Sequence, residues 1–284
     1  MKSVSSVRAA SSLSAEDISF VGDLCVEAGI LAKEMREGVD IQEKSGPYDK
    51  VTAADYALSK LLVEKISQRF PNDTVVSEED EKHSSSERSS RVWLIDPIDG
   101  TDNYISNDGQ YSIMIGLLED LKPTFGWVFA PATMTLYFGG PTYGAWRKSE
   151  GRESEQFGQL PDLTNESRAR LVMGFRDRKA HPWVREHPKI ELIKAGSIGL
   201  KVAKVLEDQA DVFAHLSAAL KTWDTAGPAA IALGGGLDVG SIDSDTLVFP
   251  GSTIKHAVSV IIGRPGALKW SRVQLTPYMG EGSA

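Results

Sequence analysis

Apolar positions near the start of the chain recur at three- and four-residue steps. Ile18, Val21, Leu24, Cys25, Ala28, Leu31, Ala32 and Met35 share one face, the pattern of a helix packed against a core. Ser14 stands at its N-cap position with Glu16 and Asp17 in the first turn, where a hydroxyl and acids meet free N–H groups. Cys25 lies on the apolar face and reads as a small core residue. Residues 36–51 are polar and turn-rich. Thr52 then opens a second helix with Asp55 at the capping-box acid position. Leu58, Leu61, Leu62, Ile66 and Phe70 form its buried stripe, and Pro71 ends it.

The pattern next shortens to strands. Thr74–Ser77 runs into Glu78, Glu79 and Asp80, and a polar loop with five serines spans residues 82–90. That loop is expected to be exposed and mobile. Val92–Ile95 form a buried strand that breaks at Asp96-Pro97-Ile98-Asp99-Gly100-Thr101. Segments 111–118, 124–129 and 134–138 follow, with Pro123 and Pro131 in the breaks. They predict an antiparallel meander. Residues 149–168 turn polar and acidic, the expected boundary between lobes at 1–160 and 161–284. The second lobe alternates strand and helix: strands at 170–173, 191–194, 210–213, 236–239 and 257–262, and helices near Trp183, from Ile198 and from Asp224 into Gly234. That alternation predicts an α/β class.

Composition narrows the function. The 284 residues carry 31 Lys and Arg against 39 Asp and Glu, a net charge of −8, so a general grip on nucleic acid is not expected. No run approaches the roughly 18 apolar residues that span a bilayer. One cysteine cannot form an intrachain disulfide. Residues 1–13 are Ser-rich with Lys2 and Arg8 and lack an apolar core, so they read as a frayed terminus or a very short transit piece, not a secretory signal. The expectation is a cytoplasmic protein with no nucleic-acid polymer or membrane partner, and with a homodimer allowed.

The acids suggest chemistry. Asp55 has an ordinary explanation as a first-turn acid, and Asp224 one as an N-cap. Yet Glu78, Asp96, Asp99 and Asp224 each sit at a strand end or helix start, where side chains reach a shared crevice. With the Ile98 carbonyl they offer hard oxygen ligands for two or three Mg²⁺ ions, a set that clamps a phosphate and activates water. Gly100 and Thr101 bring backbone N–H groups for the phosphate, and the Thr101 hydroxyl can pass a proton to a neighbouring carboxylate.

Asp96-Pro97-Ile98-Asp99-Gly100-Thr101-Asp102-Asn103 resembles the first signature of the inositol monophosphatase superfamily, and Trp223-Asp224-Thr225-Ala226-Gly227-Pro228 resembles its second. Lys44 to Asp55 and Ser77-Glu78-Glu79 fall in the expected order, so the resemblance covers about residues 14–262. It implies a layered αβαβα sandwich of the sugar-phosphatase type and Mg²⁺-dependent, Li⁺-sensitive phosphomonoester hydrolysis. It places Glu78, Asp96, Asp99, the Ile98 carbonyl and Asp224 on metal. Thr101, paired with Glu78, would orient the attacking water, Asp55 would support a second water or base, and the Gly100 and Thr101 amides would hold phosphate. Substrate would also meet Asp99, Gly196, Ser197, Lys201 and Asp224.

Inositol-specific members carry a glutamate where this chain has Ser217. Residues 213–225, and Lys201 after Gly196-Ser197, are instead similar to the bisphosphate nucleotidases, which remove the 3′-phosphate of adenosine 3′,5′-bisphosphate. Lys201 is either a solvated helix lysine or the partner of a second phosphate. Gly196 to Lys201 is one residue longer than in the bacterial nucleotidases. Asp102-Asn103 sits closer to the inositol and fructose-bisphosphatase branches, which keeps a broader sugar phosphatase as the alternative. A catalytically silent metal and phosphate sensor is the non-enzyme alternative.

Overall fold

The computed structural model describes residues 13–36, 41–46, 49–80, 89–250 and 254–279. Residues 1–12, and 81–88 of the serine-rich loop, lie outside them. Helix α1 (Ala15–Met35) starts at the expected N-cap, Ser14, and Asp17 completes a capping box there: the Asp17 N–H donates to Ser14 Oγ at 3.1 Å and the Ser14 N–H to Asp17 Oδ2 at 3.1 Å. Strands β1 (Ile41–Gly46) and β2 (Asp49–Thr52) then pair antiparallel, so the segment read as turns is a hairpin. Helix α2 (Ala53–Arg69) begins at Thr52, whose N–H and hydroxyl both donate to Asp55 Oδ2, at 2.8 and 2.6 Å.

A seven-stranded sheet follows: β3 (Thr74–Ser77), β4 (Arg91–Asp99), β5 (Ser112–Glu119), β6 (Lys122–Ala130), β7 (Thr135–Gly140), β8 (Gly144–Ser149) and β9 (Glu155–Gln156) in chain order. Helix α3 (Thr101–Ser106) leads from β4 towards β5. Only β3 and β4 run parallel; the rest is the expected meander, extended by β8 and β9. Pro123 lies inside β6, beside a register shift, rather than in a break.

The second sheet has the order β11-β10-β12-β14-β13, from β10 (Ala169–Val172), β11 (Ile190–Ile193), β12 (Val212–His215), β13 (Asp238–Gly240) and β14 (Val260–Gly263). Strands β10, β11 and β12 are parallel, and β14 is antiparallel to both neighbours. The intervening helices are α4 (Phe175–Ala180), α5 (Ile198–Leu206) and α6 (Thr222–Gly234), with a 3₁₀ turn at Pro182–Arg185, and α7 (Ala267–Gln274) and α8 (Thr276–Met279) close the described chain.

Three apolar layers hold these elements. Val21, Leu24, Cys25 and Leu58 pack on Trp93 and Trp127 of the first sheet. Ala226 and Ala229 of α6 and Val202 and Val205 of α5 pack between the sheets, against Leu94, Met114, Phe213 and Ile262. Trp270 and Leu268 of α7 cover the outer face of the second sheet. The result is the expected αβαβα sandwich, and Cys25 is a buried core thiol. No helix among the described residues is long and apolar enough to cross a membrane.

Candidate active site

Strand register builds the first half of the site. Because β3 and β4 are parallel with Ser77 opposite Ile95, Glu78 falls beside Asp96, and the Glu78 N–H donates to the Ile95 carbonyl at 3.0 Å. β4 does not break at Asp96. It runs on through Asp99 with a register shift between Asp96 and Asp99, a bulge that re-aims side chains and tolerates Pro97 within a sheet. Gly100 then takes φ 92° at the N-cap of α3, a conformation that suits glycine. The Thr101 hydroxyl donates to the Ile98 carbonyl at 3.3 Å.

Helices bring in the rest. α2 presents Asp55, which is 2% exposed. α5 docks its first turn on the β4–β5 region: the Gly199 N–H donates to Asp99 Oδ2 at 3.0 Å, Ser197 Oγ lies 3.0 Å from Ser112 Oγ, and the Ser197 N–H donates to the Gln110 carbonyl at 2.9 Å. Gly196 makes this approach feasible, since a Cβ there would meet the Gln110 carbonyl oxygen at 2.2 Å. Asp224 is at the third position of α6 rather than its N-cap, and Oδ2 accepts the Lys221 N–H at 2.7 Å.

The charges converge on Asp96. Burial pushes its carboxyl well above the usual range, and Glu78, Asp99, Asp224 and Asp55 push it further. Asp96 is 2% exposed and its Oδ1 has no hydrogen-bond partner. Burial and Asp99 raise Asp224 to about 7, and burial also raises Asp99, opposed by Lys201. Among the described residues no three of these acids close tightly enough to enclose an ion. Local donors hold three of them: Thr52 on Asp55, the α5 amides on Asp99, and Lys221 on Asp224. The all-oxygen donor set and the orphaned Asp96 Oδ1 fit a hard divalent cation.

Lys201 is not a solvated lysine. It is 4% exposed, its amine donates to the Gly196 carbonyl, and burial lowers it to about 8 against the pull of Asp99. Asp224 and Asp177 also act on it.

Residues 16–268 match the inositol monophosphatase family. The chain belongs to that family. Among its relatives, the 3′(2′),5′-bisphosphate nucleotidase CysQ of Haemophilus influenzae is 32% identical over 198 residues, 66% of this chain and 70% of that protein. The inositol-1-monophosphatase of Bacillus subtilis is 27% identical over 214 residues, 70% of this chain and 76% of that one. The solved structure of the Thermotoga maritima IMPase shares the fold, with a TM-score of 0.75 at 24% identity over 92% of this chain and 97% of its own.

Two residues that sequence reasoning missed lie beside the family site. Asp177 contacts the loop after β12, and His256 sits against the first turn of α6, its Nε2 2.7 Å from Thr225 Oγ1. No spacing signal marks either, because their partners lie 39 and 31 residues away. Burial holds His256 down to about 4. An unfolded histidine titrates near 6.5, so between those values the unfolded chain binds a proton that the native state refuses. That share of stability is complete above about pH 6.5 and is lost as pH falls towards 4. His256→Gln should therefore lose about 2 kcal/mol less than the parent between pH 7.5 and 5. Parallel denaturant titrations read this directly, and identical losses would contradict a buried neutral imidazole.

Proposed function

We propose that this family member is a Mg²⁺-dependent phosphomonoesterase that removes the 3′-phosphate of adenosine 3′,5′-bisphosphate. The observation that carries the reading is the convergence of Asp55, Glu78, Asp99 and Asp224 on buried Asp96, whose Oδ1 has no hydrogen-bond partner. Glu78, Asp96, Asp99, the Ile98 carbonyl and Asp224 would hold the Mg²⁺ ions. Bound Mg²⁺ neutralises the acids, polarises the phosphate and makes water more acidic.

The chain's own groups do the rest. The N–H groups of Gly100 and Thr101 hold phosphate oxygens. The Thr101 hydroxyl orients the attacking water and passes its proton to Glu78, while Asp55 supports a second water. The 1–160 lobe thus supplies most of the acids, and the 161–284 lobe supplies Asp224 and the substrate contacts at Gly196, Ser197 and Lys201.

Likeness to the nucleotidases, and a buried ammonium beside Asp99 and Asp224, favour a substrate with a second phosphate. The B. subtilis relative favours inositol 1-phosphate as the second reading. Phosphate release with Mg²⁺ from adenosine 3′,5′-bisphosphate, inositol 1-phosphate and fructose 1,6-bisphosphate decides between them. Preference for either of the latter two sinks the nucleotidase assignment, and no release from any ester leaves a silent sensor. Lys201→Ala should raise KM for the adenosine bisphosphate about tenfold and for a monophosphate far less, the loss of one charge-assisted contact. Equal effects would remove Lys201 from the second-phosphate contact.

A further inference from the structure

The parallel strands β10 and β12 both run out towards the segments that carry Lys201 and Asp224. After β10 the chain enters α4, where the Asp177 side chain is 1% exposed. Its oxygens are filled by one loop, the segment after β12. The Leu216 N–H donates to Oδ2 at 2.7 Å, and the Ser217 N–H and hydroxyl donate to Oδ1 at 3.3 and 2.7 Å. His215 Nδ1 lies 3.5 Å from Oδ2.

A carboxylate buried this deeply is tolerated only when donors meet its lone pairs. Here those donors belong to residues 216 and 217, so carboxylate and loop lock each other in place. The same loop continues to Leu220, which accepts the His256 N–H at 2.9 Å, and to Lys221, whose N–H meets Asp224. The Asp177 charge also acts on the Lys201 amine, more weakly than Asp99 and Asp224 do. One buried side chain therefore anchors the start of the loop that leads to Asp224.

We propose that Asp177 is a positioning residue for substrate selection, fixing the loop that follows β12 through Ser217 and Leu216. It acts on the part of the site that grips the leaving alcohol, not on the groups that would hold Mg²⁺. This assignment rests on the phosphomonoesterase reading above. Asp177→Asn keeps one acceptor oxygen but turns an amide donor towards the loop's backbone N–H groups, and Ser217→Ala removes a single hydrogen bond.

The test is kcat, KM and the Mg²⁺ concentration for half-activation, measured on adenosine 3′,5′-bisphosphate and inositol 1-phosphate. Asp177→Asn should raise KM for the preferred ester about tenfold, with kcat and half-activation within about twofold, and Ser217→Ala should raise KM about threefold. A folded Asp177→Asn protein with unchanged KM, or with kcat lowered at unchanged KM, overturns the proposal. If that variant does not fold, Ser217→Ala decides alone: a raised KM supports the assignment and an unchanged one overturns it. A wild-type preference for inositol 1-phosphate ends the nucleotidase reading but leaves this ratio measurable on that ester. If wild type releases no phosphate, the phosphatase reading falls, and calorimetric affinity for adenosine 3′,5′-bisphosphate then decides. Equal binding by wild type and Ser217→Ala would end this proposal too, while weaker binding by the variant would support it.

Discussion

Asp96→Asn is expected to lower phosphate release by at least about a thousandfold, the scale of losing a charged group at the centre of such a site. The same variant should melt no lower than wild type in chelator-treated buffer. The two expectations come from one arrangement. Asp96 is buried, four other acids act on it, and its Oδ1 has no partner. In the fold it is therefore a liability, and an amide of equal size removes charge without removing a hydrogen bond to that oxygen. Asp55 differs, because its Oδ2 accepts twice from Thr52 and caps α2. Activity within tenfold of wild type would take Asp96 out of the proposed metal set. A melting point several degrees lower would mean that its role is structural.

How much of this could be read from the sequence depended on how far apart the partners lie. The N-cap at Ser14 and the capping box at Thr52 were legible because donor and acceptor are three residues apart. The amphipathic faces of α1 and α2 were legible for the same local reason. The course of β4 was not: acids and a proline mimic a turn, and only pairing with β5 shows a bulge instead. The β1–β2 hairpin was likewise hidden, since its pairing is set by register and not by an apolar pattern. Lys201 was placed on a helix correctly, but its burial, and the Asp99 charge that acts on it, come from tertiary packing between segments far apart in sequence. Motif resemblance supplied the proposed ligand set. It could not supply Asp177, whose partners come from a loop on another strand.

Gly126→Ala should cost about 3 kcal/mol of stability, at the upper end for overpacking a core. It should also cut activity about a hundredfold, although β6 carries none of the proposed ligands. Gly116, Gly126 and Gly139 lie opposite one another across β5, β6 and β7. At Gly116 and Gly126 α6 rests backbone to backbone on this strip. A Cβ at Gly126 would lie 2.1 Å from the Gly227 carbonyl oxygen and 2.7 Å from its Cα, and a Cβ at Gly116 would lie 2.5 Å from the Gly227 nitrogen. Backbone atoms cannot rotate away, so the helix must shift. Asp224 sits on that helix one turn before Gly227, and a displacement of about an ångström carries it away from Asp99 and Asp96. Gly158→Ala is the matched control, because nothing lies within 4 Å of a Cβ there. Denaturant unfolding and saturating turnover, measured together on both variants, separate the two consequences. If Gly126→Ala lost stability but kept wild-type turnover, α6 would not be what places Asp224, and the coupling between the glycine strip and the site would be wrong.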